Sequence, residues 1–146
     1  MKSKHISILL FLLASLTPCW AHHMAVVVDK HNTVGNISSE HLANIFRHRA
    51  GQWADGSSVL LVLHAASHDE AVTLERLNHM SAAEMKAFME AHKSIVKVVA
   101  SDAEVLQFVA STPGAIGLVN VRSVNDRVNV VRVNGKLPLE EGYLPH

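Results

Sequence analysis

The residues of this chain whose chemistry could serve a function are concentrated in His64–Glu70, which holds two histidines, a serine and two carboxylates. Ser67 and His68 stand where the sequence predicts the start of a helix. The first-turn N–H groups and the positive end of the helix dipole attract anions, and a serine hydroxyl can donate to one. Ser67 could therefore donate to an anion, with helix capping as its alternative role.

A second candidate pair, Asn32 and Thr33, follows the first predicted strand. Ligands of open α/β sheets bind beyond the carboxyl ends of the strands, which is where a parallel strand would place this pair. Ordinary turn chemistry accounts for an asparagine and a threonine at this point equally well. Both interpretations stay open at the level of sequence.

Histidine is unusually frequent, with 11 residues in the chain. A free amine beside His22 and His23 could chelate Cu(II), since amine and imidazole nitrogens suit that ion. His64 and His68 match no recognised ligand spacing, so solvated surface histidines are the better interpretation and neither a metal site nor a cofactor is predicted. Ser67 beside these histidines also lacks a nucleophile-elbow glycine pattern, and we predict that the chain is not an enzyme.

The N-terminal residues 1–21 are typical of an export signal. Lys2 and Lys4 precede an almost wholly apolar core at Ile6–Leu16, and Cys19-Trp20-Ala21 supplies the small residues at the cleavage site. Cleavage after Ala21 would release a periplasmic or secreted protein, while lipid attachment at Cys19 is the alternative. The core is shorter than a membrane span, and no later stretch qualifies as one.

The remaining residues, 22–146, are predicted to form one domain. Their only route to stability is a hydrophobic core, because the single cysteine, Cys19, belongs to the predicted signal. The basic residues are few and scattered, and few aromatic residues lie near them in the sequence. This argues against nucleic acid as a partner.

Strands and helices alternate along this domain. Helices are predicted after the capping serines Ser38, Ser81 and Ser101 and from the polar loop His64–Asp69 to about His79. Glu84 and Glu104 complete capping boxes with Ser81 and Ser101. Apolar runs predict the strands, at Ala25–Val28, Val59–Leu63, Ile95–Val99, Ala115–Val121 and Val128–Val133. Asn134-Gly135 predicts a tight turn, and an irregular tail should follow from Leu137. The alternation favours an α/β fold with a largely parallel sheet covered by helices on both faces.

The segment Ser101–Val121 is the most specific in the chain, because a capped helix, the stop at Pro113-Gly114 and a buried strand follow one another in it. With the Ser38-Ser39-Glu40 helix start, Trp53 and Asp55-Gly56, the element Thr112-Pro113-Gly114-Ala115-Ile116-Gly117 resembles substrate-binding proteins of phosphate transporters. The C-terminal segment Val130–Pro138, followed by Gly142-Tyr143, is similar to the end of the small, stand-alone secreted members of that group.

This resemblance implies a single lobe of a type 2 periplasmic-binding-protein fold and a phosphate-like anion as ligand. It also implies an envelope transporter or sensor protein as partner. The resemblance places the anion in the loop His64–Glu70, which makes Ser67 and His68 candidate ligand-binding residues. Ser67 matches a serine of the family, but His68 and Glu70 stand where the family often has proline and arginine. Exchanging a guanidinium for a carboxylate replaces an anion-binding fork with a repulsive charge.

Three functions are therefore considered. The first is a secreted domain that captures phosphate or another small oxyanion near Ser67 and the loop around Asn32, for uptake or sensing. The alternative is an interaction or sensory accessory domain of the cell envelope that has kept the fold and lost the ligand, since a single lobe cannot close around one. Histidine-based metal binding is the third and least favoured.

Overall fold

The computed structural model describes residues 23–145, so the predicted signal peptide, the lipid-attachment alternative and His22 lie outside the described residues. Four helices, α1 to α4, span Ser39–Phe46, His68–Asn78, Ala82–Ala91 and Asp102–Ser111. Seven strands, β1 to β7, span Met24–Asp29, Asn36–Ile37, Leu60–His64, Val96–Val99, Ala115–Asn120, Val128–Val130 and Arg132–Val133. Between residues 23 and 145, no helix is both long and apolar enough to cross a bilayer.

The main sheet has five strands in the order β4-β3-β5-β1-β6. Strand β3 pairs in parallel with both β4 and β5. Strand β1 runs antiparallel to both of its neighbours, with Met24 opposite Asn120 and Val28 opposite Ile116. Four strands therefore point the same way, which confirms the mostly parallel α/β sheet, while β1 in its interior points the other way.

Helices cover both faces of this sheet, as the alternation of elements predicts. Alternate side chains of a strand point to opposite faces, so Val26 and Val28 pack with helices α1, α2 and α3. Val27 lies on the other face, where it packs against Val105 and Val109 of α4. The strands are consequently apolar on both sides, which is why they appear as continuous apolar runs in the sequence.

The predicted strand Val128–Val133 is in fact divided between two sheets. Residues 128–130 extend the main sheet as β6, and Arg132–Val133 pairs in parallel with β2 as β7. The tight turn is confirmed: Asn134 and Gly135 both have positive φ, and Val133 and Lys136 exchange two backbone hydrogen bonds across them.

The tail after this turn is irregular, as expected, but it enters the core. Tyr143 is 1% exposed, and its hydroxyl accepts a hydrogen bond from the N–H of Val26 at 3.0 Å. The same hydroxyl donates to the carbonyl of Val131 at 2.6 Å. The C-terminal tail is thus attached to the middle of the central strand β1 rather than merely wrapping the surface.

The Thr112–Gly117 element owes its sequence to close packing. Gly114 has φ +84°, and a Cβ at this position would lie 2.2 Å from the carbonyl oxygen of Ser58. Its carbonyl accepts from the indole of Trp53, and its N–H donates to the carboxylate of Asp29 at the end of β1. A Cβ at Gly117 would lie 2.7 Å from a methyl of Val105 in α4. The element therefore contacts three strands, β1, β3 and β5, together with α4.

The helix caps follow the sequence with one correction. Ser81 and Glu84 form the predicted reciprocal capping box. Ser101 accepts from the N–H of Glu104 at 3.1 Å, but the Glu104 carboxylate accepts from the N–H of Ala100 rather than from that of Ser101. The box at α4 is therefore displaced by one residue, because the chain entering α4 presents the preceding N–H to the carboxylate.

Candidate functional site

The carboxyl ends of β3, β4 and β5 meet at one edge of the sheet, because these strands are parallel neighbours. Their following loops, residues 64–68, 100–102 and 120–123, form what we call the carboxyl edge. Helices α2 and α4 begin there, so two helix N-termini lie beside these loops. Such an edge is the usual ligand position in open α/β sheets.

Asp102 connects the loops of the carboxyl edge. Its Oδ1 lies 3.0 Å from Nδ1 of His64, at the end of β3. Its Oδ2 accepts from the N–H of Asn120 at 2.9 Å and from the hydroxyl of Ser123 at 2.8 Å. One carboxylate therefore holds the ends of β3 and β5 against the start of α4.

Glu70 lies beneath this network and is only 2% exposed. Its Oε2 accepts from the N–H of His64 at 2.9 Å, whereas its Oε1 is buried and has no hydrogen-bond partner among residues 23–145. Burial raises the pKa of Glu70 well above its usual 4.5, and the nearby charge of Asp102 raises it further. Glu70 is thus not the exposed repulsive charge that the sequence suggests, since its carboxyl points inward and favours the neutral form.

Ser67 and His68 lie together at the start of α2. Ser67 caps the helix, its hydroxyl accepting from the N–H of Glu70 at 3.2 Å, and the capping role proposed as the alternative is therefore present. His68 is the first residue of α2 and is exposed. The pair borders the network of His64, Glu70 and Asp102 through this cap.

Asn32 and Thr33 lie at the opposite end of the sheet. Because β1 is antiparallel to β5, its end at Asp29 is level with the start of β5, and the two predicted pairs do not form one site. Asn32 and Thr33 instead line a separate cleft of about 440 Å³, with Trp53 and Asp55. The side-chain oxygen of Asn32 accepts from the N–H of Val34 in a local turn, which is the turn chemistry weighed as the alternative.

Sequence reasoning missed Asp102, Asn120 and Ser123, although two signals pointed to them. Asn120 ends a strand parallel to the one that ends at His64, and polar residues at such ends meet. Asp102 starts the helix that follows the third parallel strand. Within residues 23–145, no group of three or more histidine, cysteine, aspartate or glutamate side chains could hold a metal ion.

Comparison with known proteins gives a result for structure only. No protein-family model and no curated protein matches the sequence. An ABC-type phosphate transport receptor from Vibrio cholerae matches 80% of this chain and 48% of its own, at 21% identity and a TM-score of 0.66. The fold is one lobe of a type 2 periplasmic-binding protein.

Two further solved structures agree with this assignment. A putative phosphate ABC transporter substrate-binding protein with bound phosphate, from Clostridium perfringens, matches 80% of this chain and 46% of its own, at 16% identity and a TM-score of 0.67. PstS from Borrelia burgdorferi matches 80% of this chain and 49% of its own, at 18% identity and a TM-score of 0.62. The chain therefore spans under half the length of each of these three solved structures.

Proposed function

We propose that this binding-protein lobe is a domain of the cell envelope that captures a small oxyanion, phosphate first, beside Ser67 and His68. The observation that carries the proposal is the position of the α2 N-terminus at the carboxyl edge, in a fold whose solved relatives are named as phosphate receptors and not as enzymes. Backbone N–H groups and the dipole of α2 would supply the positive potential.

Two of the acidic residues near Ser67, Glu70 and Asp102, are compatible with this role, and Asp69 is the third in this region. Glu70 is buried and its pKa is raised, so it repels an anion less than an exposed carboxylate would. Asp102 already accepts hydrogen bonds from the N–H of Asn120 and the hydroxyl of Ser123, and its other oxygen lies 3.0 Å from the ring of His64. Arg122, in the loop after β5, is exposed and is the only arginine or lysine in the three loops that we define as this edge. It is the cation that we expect to assist the backbone groups.

Isothermal titration of the purified protein with inorganic phosphate and with sulfate tests the proposal. Ser67→Ala is expected to weaken phosphate binding at least tenfold, because the ligand loses a hydroxyl partner and the first turn loses its cap. Ser81→Ala is the matched control: Ser81 caps α3 with the same 3.2 Å bond to a glutamate N–H, away from the carboxyl edge. Absence of heat at millimolar phosphate would contradict the proposal.

The alternative is an accessory domain that binds a protein rather than an anion, such as an envelope transporter component or a sensor. Its support is the length of the chain, which spans less than half of each solved relative. One lobe on its own does not enclose a ligand and exclude water. The absence of heat in the phosphate titration, together with a specific envelope partner in a pull-down, would favour this alternative.

Asn32 and Thr33 remain candidate ligand contacts only for the separate cleft beside Trp53. Because this cleft lies at the other end of the sheet, substitution of Asn32 should leave phosphate binding at Ser67 unchanged. We propose uptake or sensing as the role of the carboxyl edge and assign no role to the cleft.

A further inference from the structure

Three arginines border one groove at the C-terminal ends of α1 and α2. Arg47 and Arg49 follow α1, and Arg76 lies in the last turn of α2, next to His79. We call these four residues and the space between them the arginine groove. Its volume is about 500 Å³, Pro145 also lines it, and among residues 23–145 Glu40 is the only carboxylate side chain on its walls.

Two of the three arginine side chains of this groove form no ion pair within residues 23–145. Arg49 and Arg76 are exposed, and neither forms an ion pair with any residue in the range 23–145. Arg47 is partly buried and donates to the backbone carbonyl of Asn78, which fixes its side chain at the floor between the helices. The groove therefore combines one anchored guanidinium with two that are free to meet a ligand.

A buried polar side chain lies at the end of α2, next to the groove. His79 ends α2 with φ +52°, a left-handed conformation in which helices commonly end and which histidine adopts more often than most residues do. Asn78, immediately before it, is 1% exposed, and both polar atoms of its side chain have no hydrogen-bond partner within the described part of the chain. Buried polar groups without a partner are rare in native proteins, and a role in ligand binding is one explanation for them.

We propose that the arginine groove binds a multivalent oxyanion of the diphosphate or polyphosphate class. Guanidinium forks match the oxygens of phosphate in pairs, which an ammonium or a helix terminus cannot do. The volume is many times that of a water molecule, about 30 Å³, and accommodates more than one phosphate group. The negative end of α2 points here, whereas α1 lines the groove along its length, from Ser39 to Arg47. The arginine side chains must therefore supply most of the attraction.

This site is independent of the one proposed at Ser67. Helix α2 has eleven residues and is about 16 Å long, with Ser67 at one end and the arginine groove at the other. The two proposals can therefore fail separately, and one set of variants distinguishes them.

The experiment is titration of the purified protein with inorganic pyrophosphate. Inorganic phosphate, which has a single phosphate group, is the comparison ligand. We expect pyrophosphate to bind at least tenfold more tightly to this groove than phosphate does. The variant Arg49→Ala/Arg76→Ala should weaken pyrophosphate binding more than tenfold, and Arg49→Lys/Arg76→Lys should restore only part of it. The control Lys86→Ala/Arg127→Ala removes the same charge from exposed positions elsewhere and should leave the affinity unchanged.

Each other outcome would overturn the proposal. No heat at millimolar pyrophosphate excludes the site. An equal loss in the control variant shows unspecific attraction by net charge, and loss only in Ser67→Ala places the anion at the carboxyl edge. Should the double variant fail to fold, the arginine side-chain N–H signals of the unaltered protein provide the readout: pyrophosphate must shift those of Arg49 and Arg76, and unshifted signals contradict the inference.

Discussion

At the scale of single residues, Gly114 shows why the Thr112–Gly117 element is so specific. A methyl group at this position would clash with the carbonyl oxygen of Ser58. This oxygen belongs to the backbone, so it cannot move aside as a flexible side chain could. The positive φ adds a second penalty for any L-residue.

We expect Gly114→Ala to lower the free energy of unfolding by about 3 kcal/mol, as the sum of left-handed strain and overpacking. Urea unfolding followed by circular dichroism measures this. Gly35→Ala is the matched control, because nothing lies within 4 Å of a Cβ there, and its effect should stay within roughly 0.5 kcal/mol. Equal effects of the two substitutions would show that the clash is relieved by movement of the strand.

Glu70 makes stability depend on pH in a direction opposite to that of most carboxylates. Its pKa is raised in the folded protein, so the folded state holds the proton more tightly than the unfolded state does. Stability is therefore present in full below the unfolded pKa of about 4.5 and decreases as pH rises toward the folded pKa.

Glu70→Gln should remove this dependence. The amide oxygen can still accept from the N–H of His64, and the uncharged group has no proton to lose. We expect the free energy of unfolding of the variant, relative to the unaltered protein, to increase as pH rises above 4.5. Urea titrations at a series of pH values from 4.5 upward measure the difference, and a difference independent of pH would contradict the assignment.

At the scale of elements, Asp102 determines how α4 meets the sheet. Asp102→Ala removes the acceptor of the Asn120 N–H and of the Ser123 hydroxyl together with the partner of His64. We expect a loss of about 2 kcal/mol, because partly buried donors lose their bonds without regaining full contact with water. Asp126→Ala, at an exposed turn, is the comparison and should change stability by less than about 0.5 kcal/mol. Similar losses in both variants would show that the network does not stabilise the fold.

The sequence predicts elements well where their causes are local. Capping serines, apolar runs and Asn134-Gly135 act over a few residues, and the helices, strands and turn follow them. The direction of β1 depends on pairing with residues at the far end of the chain, which no local pattern encodes. Glu70 could have been recognised, because it precedes Leu74 and Leu77 by four and seven residues on the same buried helix face.

At the scale of the whole molecule, Tyr143 connects the C-terminal tail to the interior of the sheet. Its hydroxyl accepts the hydrogen bond of the Val26 N–H, a group that would otherwise need an acceptor in a neighbouring strand. Burial raises the pKa of Tyr143 from 10.0 to about 12.

Tyr143→Phe should destabilise the domain by roughly 2 kcal/mol, because the buried N–H of Val26 and carbonyl of Val131 lose their partner. The unaltered protein should also lose stability between pH 10 and 12, since the unfolded state releases the phenolic proton first, and the variant should lack that loss. Denaturant unfolding at pH 7, 10 and 11 measures both effects. An unchanged midpoint at pH 7 would show that the two hydrogen bonds of the hydroxyl do not stabilise the fold.

The interior position of β1 has a consequence for how the chain acquires its structure. This strand is synthesised before its partners, yet β5 and β6 on either side of it come from the last part of the sequence. Closing so long a loop is costly in entropy and slow, as for other folds with distant strand pairing. A nascent chain that has exposed only β1 to β4 has no complete sheet to join, so we expect folding to begin only after β6 leaves the ribosome.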